Sequence, residues 1–224
     1  VGISRMLNLE LPQNFNSPYK ALSPVDFWKR WHMTLTRFLR NYIYFPLGGS
    51  RKGTVRTYVN VMLVFLASGL WHGANWTFIL WGLIHGAAQC LNRMFDRQWN
   101  RLHTAFRWMA TFLFVNLSWV IFRADSISQA KQFFKRLVGF ENMQINPGFA
   151  DSFKMVELPQ VFLNHRLMTI FLIYGIALHL VMNTRNMAEA GLKPTVLRGA
   201  GTAVLLVWSV ISLAGISTFI YFQF

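Results

Sequence analysis

Two histidines lie inside the longest uncharged stretch of this 224-residue chain, which runs from residue 57 to residue 92. His72 and His85 are each followed by a glycine, in the motifs WHG and IHG. Polar side chains at membrane depth are costly and tend to mark a function, and a glycine leaves room for another backbone or a substrate to approach. Because an imidazole titrates near neutral pH, it can serve as a general base. These two side chains are therefore candidates for catalysis.

A third candidate is His32, which follows Trp28 by four residues in a segment rich in aromatic and basic side chains. The remaining histidines lie in polar connections or singly in an apolar segment, where solvation or a helix–helix hydrogen bond accounts for them: His103, His165 and His179.

The three candidates lack the patterns that several other chemistries require. They have no HxxxH or HExxH spacing and no paired carboxylate, so no metal site is predicted. The chain has no GxSxG motif, and Ser68 is a small residue near His72 rather than a nucleophile. The remaining possibility is a histidine base that acts on an acceptor hydroxyl. This is the chemistry of direct acyl transfer.

The composition favours an integral membrane protein over a nucleic-acid-binding one. The formal net charge is +14, yet 54% of the residues are hydrophobic and only 13% are charged. The apolar residues form long blocks with the charges between them, which is the pattern of a polytopic membrane protein. The single cysteine, Cys90, rules out a disulfide framework within the chain. We therefore expect the lipid bilayer, and no nucleic acid, as a partner.

The pattern along the chain predicts an all-α, polytopic membrane protein with interfacial amphipathic helices. Residues 1–22 are predicted to be an irregular lead-in. Ser23, Pro24 and Asp26 have the order expected at a helix start, and an amphipathic interfacial helix is predicted over 23–43. A membrane segment over 58–91 is expected to be broken near the WHG motif, with its number of passes left open. Three further spans are predicted at about 106–122, 167–182 and 202–223.

Basic residues dominate the region from Lys29 to Arg56, which contains seven Lys or Arg residues and no acid. The positive-inside rule places this region on the cytoplasmic side, where it could meet a phosphate-bearing acyl donor. The candidate donor-binding residues are Arg30, Arg40, Arg51 and Lys52. The Gly-Gly turn at 48–49 lacks the strand-to-helix context of a P-loop, so nucleotide binding of that kind is not predicted.

Two long motifs resemble the membrane-bound O-acyltransferase family. They are DFWKRWHMTLTRFLRNYIYFPLGGSRKG at 26–53 and NVMLVFLASGLWHGANWTFILWGLIHG at 60–86, and WVIFRA at 119–124 and FIYFQF at 219–224 extend the match. The similarity is greatest to the alginate O-acetyltransferase branch of the family. Since members are longer, and since the chain opens without an initiating methionine or a signal peptide, a C-terminal part of the helical membrane domain is predicted over 23–224.

The resemblance implies roles for particular residues. The buried histidine of the family corresponds to His72, which would act as the base, and an upstream polar position corresponds to His32, which would orient His72 or stabilise the oxyanion. Supporting or substrate-channel residues would be His85, Trp71, Asn75 and Trp31.

The resemblance also implies the surroundings of the reaction. The donor would be acetyl-CoA or another acyl thioester, with no bound cofactor. The acceptor would be an exported polysaccharide such as alginate, or a periplasmic relay protein, and the enzyme would lie in the bacterial inner membrane. The alternatives are a transporter or channel, for which no repeat or paired broken helices are found, and a structural subunit of an exopolysaccharide secretion complex.

Overall fold

The computed structural model describes residues 8–139, 166–184 and 195–212, and every regular element in these ranges is helical. The all-α class is therefore confirmed for the described residues. A 3-10 turn lies at Pro18–Lys20 and a π-helical turn at Arg40–Tyr44. The helices are α1 (Pro24–Arg30), α2 (Met33–Leu39), α3 (Thr54–His72), α4 (Trp76–Met94), α5 (Asp96–Arg101), α6 (Thr104–Arg123), α7 (Ile127–Gly139), α8 (Arg166–Asn183) and α9 (Val196–Ser212).

The start of α1 follows the sequence prediction. The hydroxyl of Ser23 accepts a hydrogen bond from the backbone N–H of Asp26 at 3.0 Å, and Pro24 is the first helical residue. The Asp26 carboxylate accepts the backbone N–H of Leu22 and forms an ion pair with Arg30 at 2.8 Å. A capping hydroxyl of this kind contributes about 1 kcal/mol to the stability of the helix.

The predicted helix over 23–43 is interrupted in the structure. Trp31 is extended, and His32 adopts a left-handed conformation with φ 44° and ψ 54°. The lead-in explains this break, because the backbone N–H of Asn16 donates to the Arg30 carbonyl and that of Met33 donates to the Asn14 carbonyl. The lead-in thus turns one predicted helix into two short ones and leaves His32 at the junction.

The predicted broken segment over 58–91 forms two helices, α3 and α4, which pack antiparallel as a hairpin. Their closest approach is at Gly69 and Gly82, where a Cβ atom on Gly82 would lie 2.4 Å from the Phe65 carbonyl oxygen. The connection is only three residues long, and it begins directly after α3 at Gly73, whose φ of 147° disfavours any other residue. Small residues at such a crossing let two membrane helices approach closely.

Replacing Gly82 by alanine is expected to destabilise this hairpin. The new methyl group would meet a backbone oxygen, which cannot move aside, so we expect a loss of about 1–3 kcal/mol. The midpoint of thermal unfolding of the full-length protein in detergent measures this loss. Gly139→Ala is the matched control, since a Cβ there has no atom within 4 Å. Equal midpoints for the two variants would contradict the close crossing.

The core lies where α1 crosses the hairpin and α6. Its buried apolar residues come from the lead-in, α1, α3, α4 and α6: Ala21, Phe27, Trp28, Val61, Phe65, Trp81 and Val115. Polar side chains fasten the connecting segments to this core, as where the indole N–H of Trp108 donates to the Tyr19 carbonyl at 2.8 Å. In the Gly48–Gly49 turn, where both residues have positive φ, the amide of Asn60 donates to the Gly49 carbonyl at 2.9 Å.

Two helices in the described part of the chain, α3 and α6, are long and apolar enough to cross a membrane. They fall on the predicted segments at 58–91 and 106–122. The helix α8 covers the predicted span at 167–182. The helix α9 belongs to a second compact unit, Asn183–Phe224, and covers the first part of the span predicted at 202–223. Residues 213–223 of that span, residues 1–7 of the lead-in and His165 lie outside the described residues.

Candidate active site

His72 is the last residue of α3 and points into a group of aromatic rings. Its imidazole is half-buried and lies edge-to-face against three of these rings. The ring centroids around it are Trp71 at 4.8 Å, Phe122 at 4.9 Å, Trp81 at 5.6 Å and Phe78 at 6.1 Å. No hydrogen bond to the His72 ring occurs among the described residues. Aromatic packing therefore fixes the ring while its nitrogens stay available to a ligand.

His32 and His72 both contact the ring of Trp71. The Trp71 ring centroid is 6.2 Å from that of His32 and 4.8 Å from that of His72. Burial lowers the pKa of His32, so this imidazole is neutral at pH 7. Its Nδ1 atom is buried and has no hydrogen-bond partner in the described structure. The structure thus brings together the two histidines that the sequence predicted as a pair.

The backbone of His32 carries strain that suits a functional position. A left-handed conformation costs a non-glycine residue roughly 1–3 kcal/mol, and such residues concentrate at active sites. The neighbouring Trp31 holds the junction in place, since its ring stacks on Phe27 at 5.6 Å and contacts Trp119 at 5.1 Å. Trp31 thus borders His32 and Trp71 contacts it, while Trp71 remains 57% exposed; a supporting or substrate-channel role for either tryptophan stays a prediction.

His85 is placed differently from His72, although the two motifs look alike in sequence. It is 1% exposed and lies within α4. The indole N–H of Trp28 donates to its Nδ1 at 3.1 Å, and its Nε2 lies 2.9 Å from the Ser118 hydroxyl. Because an indole is only a donor, Nδ1 must accept and the proton must sit on Nε2. His85 is thus a neutral link between α1, α4 and α6 with both nitrogens engaged.

Asn75 makes two hydrogen bonds that give its side chain a structural role. Its side-chain oxygen accepts the backbone N–H of Thr77 at 3.1 Å and so caps α4. Its amide nitrogen donates to the Asp125 carbonyl at 3.0 Å, which ties the hairpin connection to the segment between α6 and α7.

The predicted donor-binding residues separate into three groups. Arg30 is engaged in its ion pair with Asp26. Arg51 and Lys52 lie on the exposed turn before α3, where the Lys52 chain covers Gly48. Only Arg40 lines a cavity, and its guanidinium also lies 5.8 Å from the Phe45 ring centroid.

That cavity, of about 220 Å³, lies between α1, α2 and the hairpin. Its exposed lining residues are basic: Lys29, Arg40 and Arg93. Its interior is largely apolar, with Thr36, Ser68 and Gln89 as polar exceptions. The Ser68 hydroxyl is buried and has no partner in the described residues. Ser68 lies one helical turn before His72, about 6 Å along α3. Sequence reasoning missed Lys29, Arg93 and Ser68, although the spacing of four residues between Ser68 and His72 could have signalled a shared face.

The described structure thus combines two helices that are long and apolar enough to cross a membrane with a histidine at the end of one of them. The family model of the membrane-bound O-acyltransferases matches residues 6–128, which is more than half of the chain. The chain belongs to this family.

Curated proteins similar to the chain carry related activities. It is 47% identical over 149 residues to a peptidoglycan O-acetyltransferase of Helicobacter pylori, a match that covers 65% of the chain and 28% of that protein. It is 40% identical over 147 residues to a probable alginate O-acetylase of Pseudomonas putida, with 65% of the chain and 30% of the relative covered. A teichoic acid D-alanyltransferase of Bacillus subtilis is 30% identical over 138 residues, with 54% and 35% covered. The chain therefore matches about a third or less of the length of these relatives.

Proposed function

We propose that this chain is the catalytic C-terminal part of a bacterial inner-membrane O-acetyltransferase. It would move an acetyl group from a cytoplasmic thioester to a hydroxyl of an exported polysaccharide or to a periplasmic relay protein. The observation that carries the proposal is the His72 imidazole, which is held by rings, has no hydrogen bond in the described residues and shares Trp71 as a neighbour with a neutral His32. The family membership and the acyl-transfer activities named for the relatives support the same reaction class.

The proposed reaction is a single displacement. His72 takes the proton of the acceptor hydroxyl while the hydroxyl oxygen attacks the thioester carbonyl, which forms a C–O bond. The tetrahedral intermediate then expels the thiolate as the C–S bond breaks, and the imidazolium of His72 returns the proton to the sulfur. No covalent enzyme intermediate is needed, since the described site offers no activated nucleophile. His32 orients His72 or stabilises the oxyanion.

The cavity beside α3 is the candidate path for the donor. Three exposed cations at its opening suit a phosphate group such as that of coenzyme A or phosphopantetheine. Among the described residues, none of these three cations forms an ion pair with a carboxylate, in contrast to Arg30. The apolar interior runs about 10 Å along α3 from Val61 to Ser68, towards His72. The extended chain of a phosphopantetheine thioester would fit this shape. The Ser68 hydroxyl would form a hydrogen bond with one of the amides of that chain.

Neutralising the cations of the cavity is expected to weaken donor binding. Arg40→Gln and Arg93→Gln should each raise the KM for an acetyl thioester by about tenfold, the effect of losing one charge-assisted hydrogen bond, with little change in kcat. Initial rates of the full-length protein in vesicles provide the measurement. Arg30→Gln is the matched control because Arg30 pairs with Asp26. If Arg30→Gln raised KM as much as Arg40→Gln, the cavity would not be the donor site.

The reaction class itself can be tested with the purified full-length protein. Reconstituted vesicles are given acetyl thioester labelled in the acetyl group, and an oligosaccharide acceptor or candidate relay protein is supplied on the opposite side. Labelled ester on the acceptor, dependent on the intact protein, is the expected result. Vesicles that retain folded protein but transport solutes or assemble polymer without forming any ester would instead support the transporter or structural alternatives.

A further inference from the structure

Some buried polar atoms without a hydrogen-bond partner lie in the aromatic group that contains His72. Eight buried side-chain nitrogen or oxygen atoms in the described residues have no hydrogen-bond partner. Three of them belong to the rings around the histidine pair: His32 Nδ1, Trp81 Nε1 and Trp119 Nε1. Leaving a buried donor unpaired costs free energy, so such groups are rare in native structures and each calls for an explanation. The Trp81 ring contacts the His72 imidazole, and the Trp119 ring contacts Trp81, so these atoms indicate a site that binds a hydrogen-bonding ligand.

Trp81 is the most enclosed of these residues. It is 1% exposed, and its ring contacts those of Trp28, His72, His85, Trp119 and Phe122. Other tryptophans of the described chain pair their N–H groups, as Trp28 does with His85, Trp99 with the Leu22 carbonyl and Trp108 with the Tyr19 carbonyl. The buried N–H groups of Trp81 and Trp119 lack such a partner in the described residues, and the Trp81 ring also contacts the proposed base.

We propose that the indole N–H of Trp81 donates a hydrogen bond to the carbonyl oxygen of the acyl donor and stabilises the oxyanion that forms there. This inference rests on the proposed function. An indole N–H can only donate a hydrogen bond, so its partner must be an acceptor. The indole cannot take a proton from the acceptor hydroxyl and therefore cannot act as the base. The carbonyl oxygen becomes a much stronger acceptor when the acceptor hydroxyl attacks, so the bond strengthens in the transition state. His32 is then left to orient His72.

The replacement Trp81→Phe in the full-length protein tests this assignment, since it removes the N–H and keeps an aromatic ring. We expect kcat for acetyl transfer to fall by about 10²-fold, the loss seen when one oxyanion donor is removed, while the KM for the donor changes little. Trp108→Phe is the matched control because its N–H is already bonded to the Tyr19 carbonyl. That variant should unfold at a lower temperature but retain its kcat.

A second replacement separates the N–H from the ring shape. Amber suppression can place a benzothiophene side chain at position 81, which has nearly the shape of indole but no N–H donor. The same loss of kcat is expected, and an unchanged kcat would overturn the role of Trp81 even if Trp81→Phe failed to fold. The variant His72→Ala distinguishes a failure of this inference from a failure of the proposed function. A normal rate in the benzothiophene variant with an inactive His72→Ala rejects only this inference, whereas an active His72→Ala rejects the proposed function.

Discussion

Replacing His72 by alanine in the full-length protein is expected to reduce O-acetylation of the exported polymer by about 10³-fold. General-base catalysis contributes roughly 10²–10⁴-fold, and no other described group stands ready to take the proton. The ester content of the polymer, normalised to the amount of protein in the membrane, gives the measurement. His72→Gln should be as inactive as His72→Ala, since an amide fills a similar space but cannot act as a base. This variant guards against a simple packing defect among the four rings that surround His72.

The controls for this result come from the other histidines. His103→Asn should leave acetylation unchanged, because His103 is exposed and caps α6 through its Nδ1 atom, a role that asparagine can fill. His32→Ala should cause a smaller loss than His72→Ala if His32 acts by orienting the base. Unchanged acetylation in both His72→Ala and His32→Ala would remove the catalytic interpretation of the pair.

Local signals in the sequence predicted the starts and ends of helices well. Ser23, Pro24 and Asp26 placed the start of α1, because capping depends on residues within one turn of each other. The glycine after His72 likewise marked the end of α3, where the backbone requires positive φ. Features of this kind are predictable because each of them depends on a few adjacent residues.

Features that depend on distant residues were not predictable. The break at His32 arises from hydrogen bonds to Asn14 and Asn16 of the lead-in, which has no periodic pattern of its own. The number of helices in the uncharged stretch depends on the packing of Gly69 against the helix that carries Gly82. The cavity that ends at Ser68 is lined by five separate elements. The spacing of residues within a single helix does not predict such arrangements.

The two glycine-flanked histidines show this limit most directly. In WHG, the glycine ends a helix and leaves His72 at the site. In IHG, Gly86 lies within a helix against Met62 and Phe65, and His85 is sealed in the core. The difference depends on Trp28 and Ser118, which lie 57 and 33 residues away. The family resemblance implied a supporting role for His85. The contacts of His85 with Trp28 and Ser118 indicate that this role is to hold helices together.

His85→Leu is accordingly expected to destabilise the full-length protein by about 2–4 kcal/mol, because it leaves the buried N–H of Trp28 without an acceptor and removes a partner of Ser118. Unfolding in detergent should show this loss. The protein that remains folded should keep most of its turnover, since His85 has both nitrogens engaged and cannot serve the reaction.

A double variant makes this expectation specific. In His85→Leu combined with Trp28→Phe, no indole N–H is left unpaired, so the combined loss of stability should be smaller than the sum of the two single losses. A strictly additive result would mean that the bond between Trp28 and His85 contributes nothing. A His85→Leu protein that folds with normal stability but has no turnover would assign His85 to the chemistry. The expected pattern instead makes His85 the residue that holds α1, and with it Trp31 and His32, against the hairpin that carries His72.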